Sequence, residues 1–157
     1  MSKNRIGLNN EEVKQLAKKL NVLLSNYHLF YQNARGFHWN ITGDKFFELH
    51  LKFEELYTDA LLKIDEIAER ILTLGHTPTH TFTDYVKASG IKEAKNVTDG
   101  KTAIGLILDG YAKLIPLERE LLELSAKAND EGTNALMSDY IRQQEKTVWM
   151  YTAYLKK

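Results

Sequence analysis

The stretch His38–Arg70 reads HWNITGDKFFELHLKFEELYTDALLKIDEIAER, and its second part is a helix in waiting. From about Lys45 to Leu74 no glycine or proline interrupts the chain, and Gly75 stops it. His50 and Glu54 stand four apart, as do Asp65 and Glu69, with Glu54 and Asp65 eleven apart. At about 100° per residue these four fall at roughly 0°, 40°, 60° and 100°, so they share one helix face. Asp59 points to the opposite side. Phe53, Leu61, Leu62, Ile64 and Ile67 supply apolar surface, which predicts that part of this helix is buried.

One imidazole and three carboxylates on one face cannot meet within a single helix, because His50 and Glu69 lie roughly 28 Å apart along its axis. Two copies running antiparallel about a two-fold axis near Asp59 and Ala60 bring unlike pairs together: His50 and Glu54 of one chain face Glu69 and Asp65 of the other. Such an isologous contact makes two identical sites. A turn centred near Gly43 and Asp44 folds the preceding helix back and sets His38 beside His50. Two imidazoles and three carboxylates suit iron, manganese or zinc. The competing reading of His50 with Glu54 is an exposed helical pair.

Outward from this stretch the chain is helical throughout, with only Pro78 and Pro116 as prolines. The first helix opens at Asn9 or Asn10, where Asn9 and Glu12 resemble a capping box, and runs to about Trp39. Leu16, Leu20, Leu23, Leu24, Tyr27 and Tyr31 form its core stripe. In GHTPTHT, Pro78 argues against a helical pairing of His76 and His80, so they are read as loop residues. Phe82 to Ala88 predicts a short helix within a long crossing link. Thr98 and Asp99 cap a third long helix to about Lys127, with Leu106, Leu114, Leu117, Leu121 and Leu124 as its stripe and Pro116 as a bend. After NDEGT a fourth ends near Leu155, with Tyr140, Trp149 and Met150 expected to pack. Short links within each helix pair and one long link between pairs describe an all-α, ferritin-like four-helix bundle with a short extra helix in the crossover. The expected division is a short flexible tail over 1–8 and one domain over 9–157.

At 157 residues and 43% hydrophobic content the chain suits one well-cored domain. Without cysteine, thiolate ligation, disulfides and thiol catalysis are excluded, leaving only His and oxygen ligands for a metal. Twenty-one basic residues balance 21 acidic ones, so bulk charge attracts neither nucleic acid nor anionic lipid. With neither a secretory leader nor a membrane span in evidence, a cytoplasmic protein is expected. Phosphate-binding loops, dinucleotide fingerprints and H-E-x-x-H are absent. So are the Glu-x-x-His pairs of di-iron bundles, which argues against a site inside one bundle.

His38-Trp39-Asn40, Gly43, Phe46-Phe47, Leu49-His50 and Asp65-Glu66-Ile67-Ala68-Glu69-Arg70-Ile71 together resemble the signature of Dps, the mini-ferritins named as DNA-binding proteins from starved cells. The crossover, Asp130-Glu131-Gly132-Thr133 and Glu145-Lys146-Thr147-Val148-Trp149-Met150 extend the likeness over nearly the whole chain. The resemblance implies a hollow shell of twelve subunits with ferroxidase sites at two-fold interfaces. His38, His50 and Glu54 would come from one chain, and Asp65 and Glu69 from its partner. It also implies oxidation of Fe(II) by hydrogen peroxide, less well by O2, with storage of ferric mineral and protection against oxidative stress. Trp39 matches a tryptophan beside the site and is a candidate electron donor.

Two positions depart from the pattern. Glu54 stands where Asp is common, one methylene longer. Asp130 and Asp139 are candidates for lining a three-fold pore through which iron enters, yet Ala135 stands where Asp is frequent, and Asp130 also reads as a helix cap. Zinc would compete for such ligands. A second reading is a nucleoid-packing DNA binder with little ferroxidase activity, but Lys3 and Arg5 at one end and Lys156 and Lys157 at the other predict weak or no DNA binding. A third is a structural bundle whose His and carboxylates merely knit an interface.

Overall fold

The computed structural model describes residues 2–156, and among them only helices and connecting segments occur, apart from two isolated β-bridges. Helix α1 spans Asn10–Asn40, α2 Phe46–Thr73, α3 Phe82–Ala88, α4 Gly100–Lys127 and α5 Glu131–Leu155. α1 packs mainly on α2 and α4 on α5; α1 also meets α4, and α3 lies on α1. This is the four-helix bundle with one crossover, and α3 is the extra piece in the link. No helix is long and apolar enough among the described residues to cross a membrane.

The ends are set by local chemistry. The Asn9 side chain accepts from the Glu12 backbone N–H, as the capping box predicts, and Asp99 and Asp130 do the same for Thr102 and Thr133. The hairpin between α1 and α2 turns at Gly43, whose φ of 111° lies in the region that favours glycine. Thr42 donates to the Thr98 carbonyl at 2.9 Å, tying this hairpin to the start of α4. Residues 4–9 before α1 form a hydrogen-bonded turn, with Asn4 donating to the Leu8 carbonyl at 2.8 Å.

The core takes Leu16, Leu20, Leu23, Leu24, Tyr27 and Phe37 from α1 and Phe53, Ile67 and Ile71 from α2. Ile104, Leu114 and Leu121 of α4 and Met137 and Tyr140 of α5 complete it. Each large apolar side chain so buried contributes about 1.5–3 kcal/mol. Part of α2 is buried as expected, but five of the apolar side chains named from the sequence lie outside the core. Leu61 and Leu62 point outward, because Ala60, Ile64, Ile67 and Ile71 already occupy the inward face of α2. Leu106 is exposed beside Ile107, which holds the core position. Trp149 and Met150 are exposed because α5 buries the row Met137, Tyr140, Ile141, Gln144 and Tyr151 instead.

Polar groups also occupy the bundle interior. Glu118 is fully buried, and its Oε2 accepts from the Tyr27 hydroxyl at 2.5 Å; Gln144 donates to the same hydroxyl. Lys63 is buried too, bonded to Asp59 at 2.7 Å and Gln143 at 3.2 Å. Burial pushes the Glu118 carboxyl up to about 7, against the lowering effects of its hydrogen bonds to Tyr27 and Gln144 and of the Lys63 and Arg119 charges. Because the folded state holds this proton more tightly than the unfolded chain, the protein loses stability as pH rises through that window. The cost approaches about 3 kcal/mol above pH 7. Glu118→Gln is therefore expected to melt near wild type at pH 5 and clearly above it at pH 8. Equal pH dependence of the two melting curves would refute this.

Candidate metal centre

His38 lies in the last turn of α1, where main-chain carbonyls have no helical partner. His50 Nδ1 bonds the His38 carbonyl oxygen at 2.6 Å, and His38 Nδ1 bonds the His50 carbonyl oxygen at 2.6 Å. A carbonyl only accepts, so each Nδ1 must be the protonated nitrogen. Each neutral ring is thereby left with its lone pair on Nε2, the form in which imidazole binds a metal. The rings stack at 3.8 Å with 10° between planes. Phe46 continues the stack on His50 at 4.9 Å, and Tyr57 closes edge-on against His38 at 5.3 Å. The two imidazoles thus hold each other in orientation, and aromatic packing holds the pair.

Glu54 follows one turn after His50 and is exposed. Asp65 and Glu69 lie on the same exposed face, far along α2, and do not meet the imidazoles of their own chain. Among the described residues of one chain, no three His, Asp or Glu side chains converge to hold a metal. Asp65 raises the Glu69 carboxyl above its ordinary range, first through a side-chain hydrogen bond and then through like-charge repulsion. A divalent cation relieves the repulsion between two adjacent carboxylates, so the pair suits one.

The other candidates separate. Trp39 is 59% exposed and rests on the Arg35 guanidinium at 5.1 Å, making no ring contact with either imidazole among the described residues. Asp130 does not suit a pore: it is 2% exposed. Its Oδ1 accepts from Arg70 Nη2 at 2.7 Å and Thr133 N at 3.0 Å, and its Oδ2 from the Thr133 hydroxyl at 2.5 Å. It is the cap of α5, with its lone pairs spent there. Asp139 is exposed and pairs with Arg142 at 3.2 Å. His80 is exposed in the connection between α2 and α3, and His76 is partly so. His28, stacked on Tyr85 at 3.7 Å, is pushed down to about 4 by burial and serves packing.

Tyr57 and Arg70 were not singled out from sequence. Tyr57 follows His50 by seven residues and so shares its side of the helix, a spacing that could have revealed it. Nothing local pairs Arg70 with Asp130, sixty positions away.

The ferritin-like domain family matches residues 17–157. A DNA protection during starvation protein of Porphyromonas gingivalis is 40% identical over 151 residues, which cover 96% of this chain and 95% of that one. An uncharacterized protein of Haemophilus influenzae is 50% identical over 98% of this chain and 96% of its own. The crystal structure of a Dps protein from Vibrio cholerae O1, described as a member of a broad superfamily of ferritin-like diiron-carboxylate proteins, superposes with a TM-score of 0.97. It shares 55% identity and covers 99% of this chain and 98% of that one. The chain belongs to the Dps family. Membership sets the Dps bundle and crossover in a known architecture, and within it the locked His38–His50 pair is the feature of this Dps chain best suited to bind a metal.

Proposed function

We propose that this Dps chain oxidises Fe(II) at sites shared between two subunits and stores the ferric product inside a hollow homo-oligomeric shell, expected to be a dodecamer. The observation that carries the reading is the stacked His38–His50 pair with its two Nε2 lone pairs free, His50 standing on the same face of α2 as Glu54, Asp65 and Glu69. That face also carries apolar side chains a single chain leaves in water: Phe47 at 85% exposure, Leu62 at 63%, and Leu51, Leu61 and Leu72. The antiparallel register that sets His50 opposite Glu69 and Glu54 opposite Asp65 also sets Phe47 opposite Leu72, Leu51 opposite Ala68 and Tyr57 opposite Leu62. Ligand pairing and apolar pairing therefore call for the same two-fold contact.

In the proposed reaction His38, His50 and Glu54 of one subunit and Asp65 and Glu69 of its partner bind Fe(II) as substrate. The carboxylates favour Fe(III) over Fe(II) and so assist electron loss. Two Fe(II) each give one electron to hydrogen peroxide, whose O–O bond breaks; two protons complete two waters, and no hydroxyl radical is released. Dioxygen is the poorer oxidant in this reading. Protection of a bacterial cytoplasm against peroxide and free iron follows, with Asp139 the remaining candidate on the iron's way in and zinc a competitor for the site. DNA binding is weak or absent, since Lys3, Arg5 and Lys156 offer few contacts and Lys157 lies outside the described residues.

The test is size-exclusion chromatography with iron detection after anaerobic addition of Fe(II) and limiting peroxide. Iron should elute with a particle near 220 kDa, the mass of twelve 18.1 kDa chains. A monomer sinks the shared site, and an iron-free shell sinks the storage function.

A further inference from the structure

Tyr57 is an oxidisable side chain in contact with His38, one of the two proposed imidazole ligands. Its ring meets His38 edge-on at 5.3 Å and 71°, and on its other side meets Tyr31 at 6.0 Å and 83°. The sequence instead directs attention to Trp39, the neighbour of His38 along the chain. The Arg35 guanidinium decides between them. It sits 4.9 Å from the Tyr31 ring centre and 5.1 Å from that of Trp39, and its Nη1 donates to the Tyr31 hydroxyl at 2.9 Å. A fixed positive charge over a ring makes removal of an electron from that ring harder. Among the described residues no cation lies over Tyr57. Of the three aromatic rings, Tyr57 alone touches His38 and alone, among the described residues, lies under no cation.

We propose that Tyr57 is an electron donor to the site, acting through His38 when peroxide meets a single bound Fe(II). The inference rests on the ferroxidase reading and adds to it a way of completing peroxide reduction when the second iron is missing. Peroxide needs two electrons, and a lone Fe(II) supplies one, which by itself cleaves the O–O bond to hydroxide and hydroxyl radical. With Tyr57 giving the second, Fe(II) becomes Fe(III) and the phenol becomes a neutral phenoxyl radical. The phenolic proton and one proton from solvent complete two waters. Oxidising equivalents are then held on a partly buried ring instead of diffusing away. Tyr31, in contact with Tyr57 but under the Arg35 charge, is the barrier to onward loss of the hole.

The experiment is freeze-quench electron paramagnetic resonance on the assembled protein, with substoichiometric Fe(II) mixed anaerobically with excess peroxide. The expected result is a protein radical whose hyperfine pattern narrows when all tyrosines are ring-deuterated, and which is lost in Tyr57→Phe but kept in Tyr31→Phe. A spin trap should then report more hydroxyl radical from Tyr57→Phe than from wild type. A radical unaffected by tyrosine deuteration overturns the assignment in the wild-type protein alone, whatever the variants do. A radical that survives in Tyr57→Phe overturns it equally. Fe(III) is read in the same samples. Its formation without a Tyr57 radical overturns this inference alone, whereas no Fe(III) at all defeats the ferroxidase reading beneath it.

Discussion

Asp65→Asn with Glu69→Gln is expected to abolish most peroxide-driven iron oxidation while leaving the shell assembled. Both side chains are exposed on the free chain, so neither supports its own bundle. The amides keep size and shape but remove two negative charges from the half of the proposed site that one subunit would lend to the other. Loss of an outer partner alone costs about 10–100-fold in metal affinity or activity. Loss of two direct ligands should exceed that, so the initial rate of Fe(III) formation should fall at least about 100-fold. Particle size, measured alongside, should not change. A double variant that assembles and oxidises iron at the wild-type rate would show that these carboxylates merely knit an interface.

The second large effect is on stability. Asp130→Ala removes the cap of α5 and the partner of Arg70 in one step. Arg70 belongs to the last turn of α2, next to Glu69, and its guanidinium is wedged against Gly132, where an added Cβ would lie 2.6 Å from Nη1. The pair thus clamps the end of α2 to the start of α5 at the turn that carries a proposed ligand. Breaking a buried pair costs about 3–5 kcal/mol, and the Arg70 side chain keeps 20% exposure, so the lower end applies. A fall of roughly 6–12 °C in melting temperature follows for a chain of this size. Asp130→Asn, which retains a capping oxygen, should lose less. A change within about 1 °C for the alanine variant would mean that the clamp contributes nothing measurable.

Much of this protein is legible in residues that act locally. Asn9, Asp99 and Gly75 mark helix ends because capping and chain reversal involve only three or four neighbouring residues, and the structure places helix ends at each. The single face shared by His50, Glu54, Asp65 and Glu69 follows from the helical period alone. The pairing of His38 with His50 needed one further step, a short hairpin turning at Gly43, and the stacked rings bear it out.

What depended on distant parts of the chain was not legible. An apolar residue announces that it needs cover but not whose. Leu61, Leu62 and Trp149 are as hydrophobic as their buried neighbours, yet the bundle had filled its inner rows before reaching them. Nothing local marks Glu118 as buried; Tyr27 from α1 bonds it in the core, and Gln144 from α5 bonds the same tyrosine. Asp130 fits a pore or a cap on sequence, and Arg70 arriving from α2 settles it as a cap. The sequence by itself determined the helices, their order, the family and the one helix face shared by His50, Glu54, Asp65 and Glu69, because periodicity, capping and turn chemistry are short-ranged. Only the tertiary structure decided which imidazole nitrogens are free, that Tyr57 and not Trp39 touches His38, and which charges are buried, because each is set by a contact between side chains on different helices or across the α1–α2 hairpin.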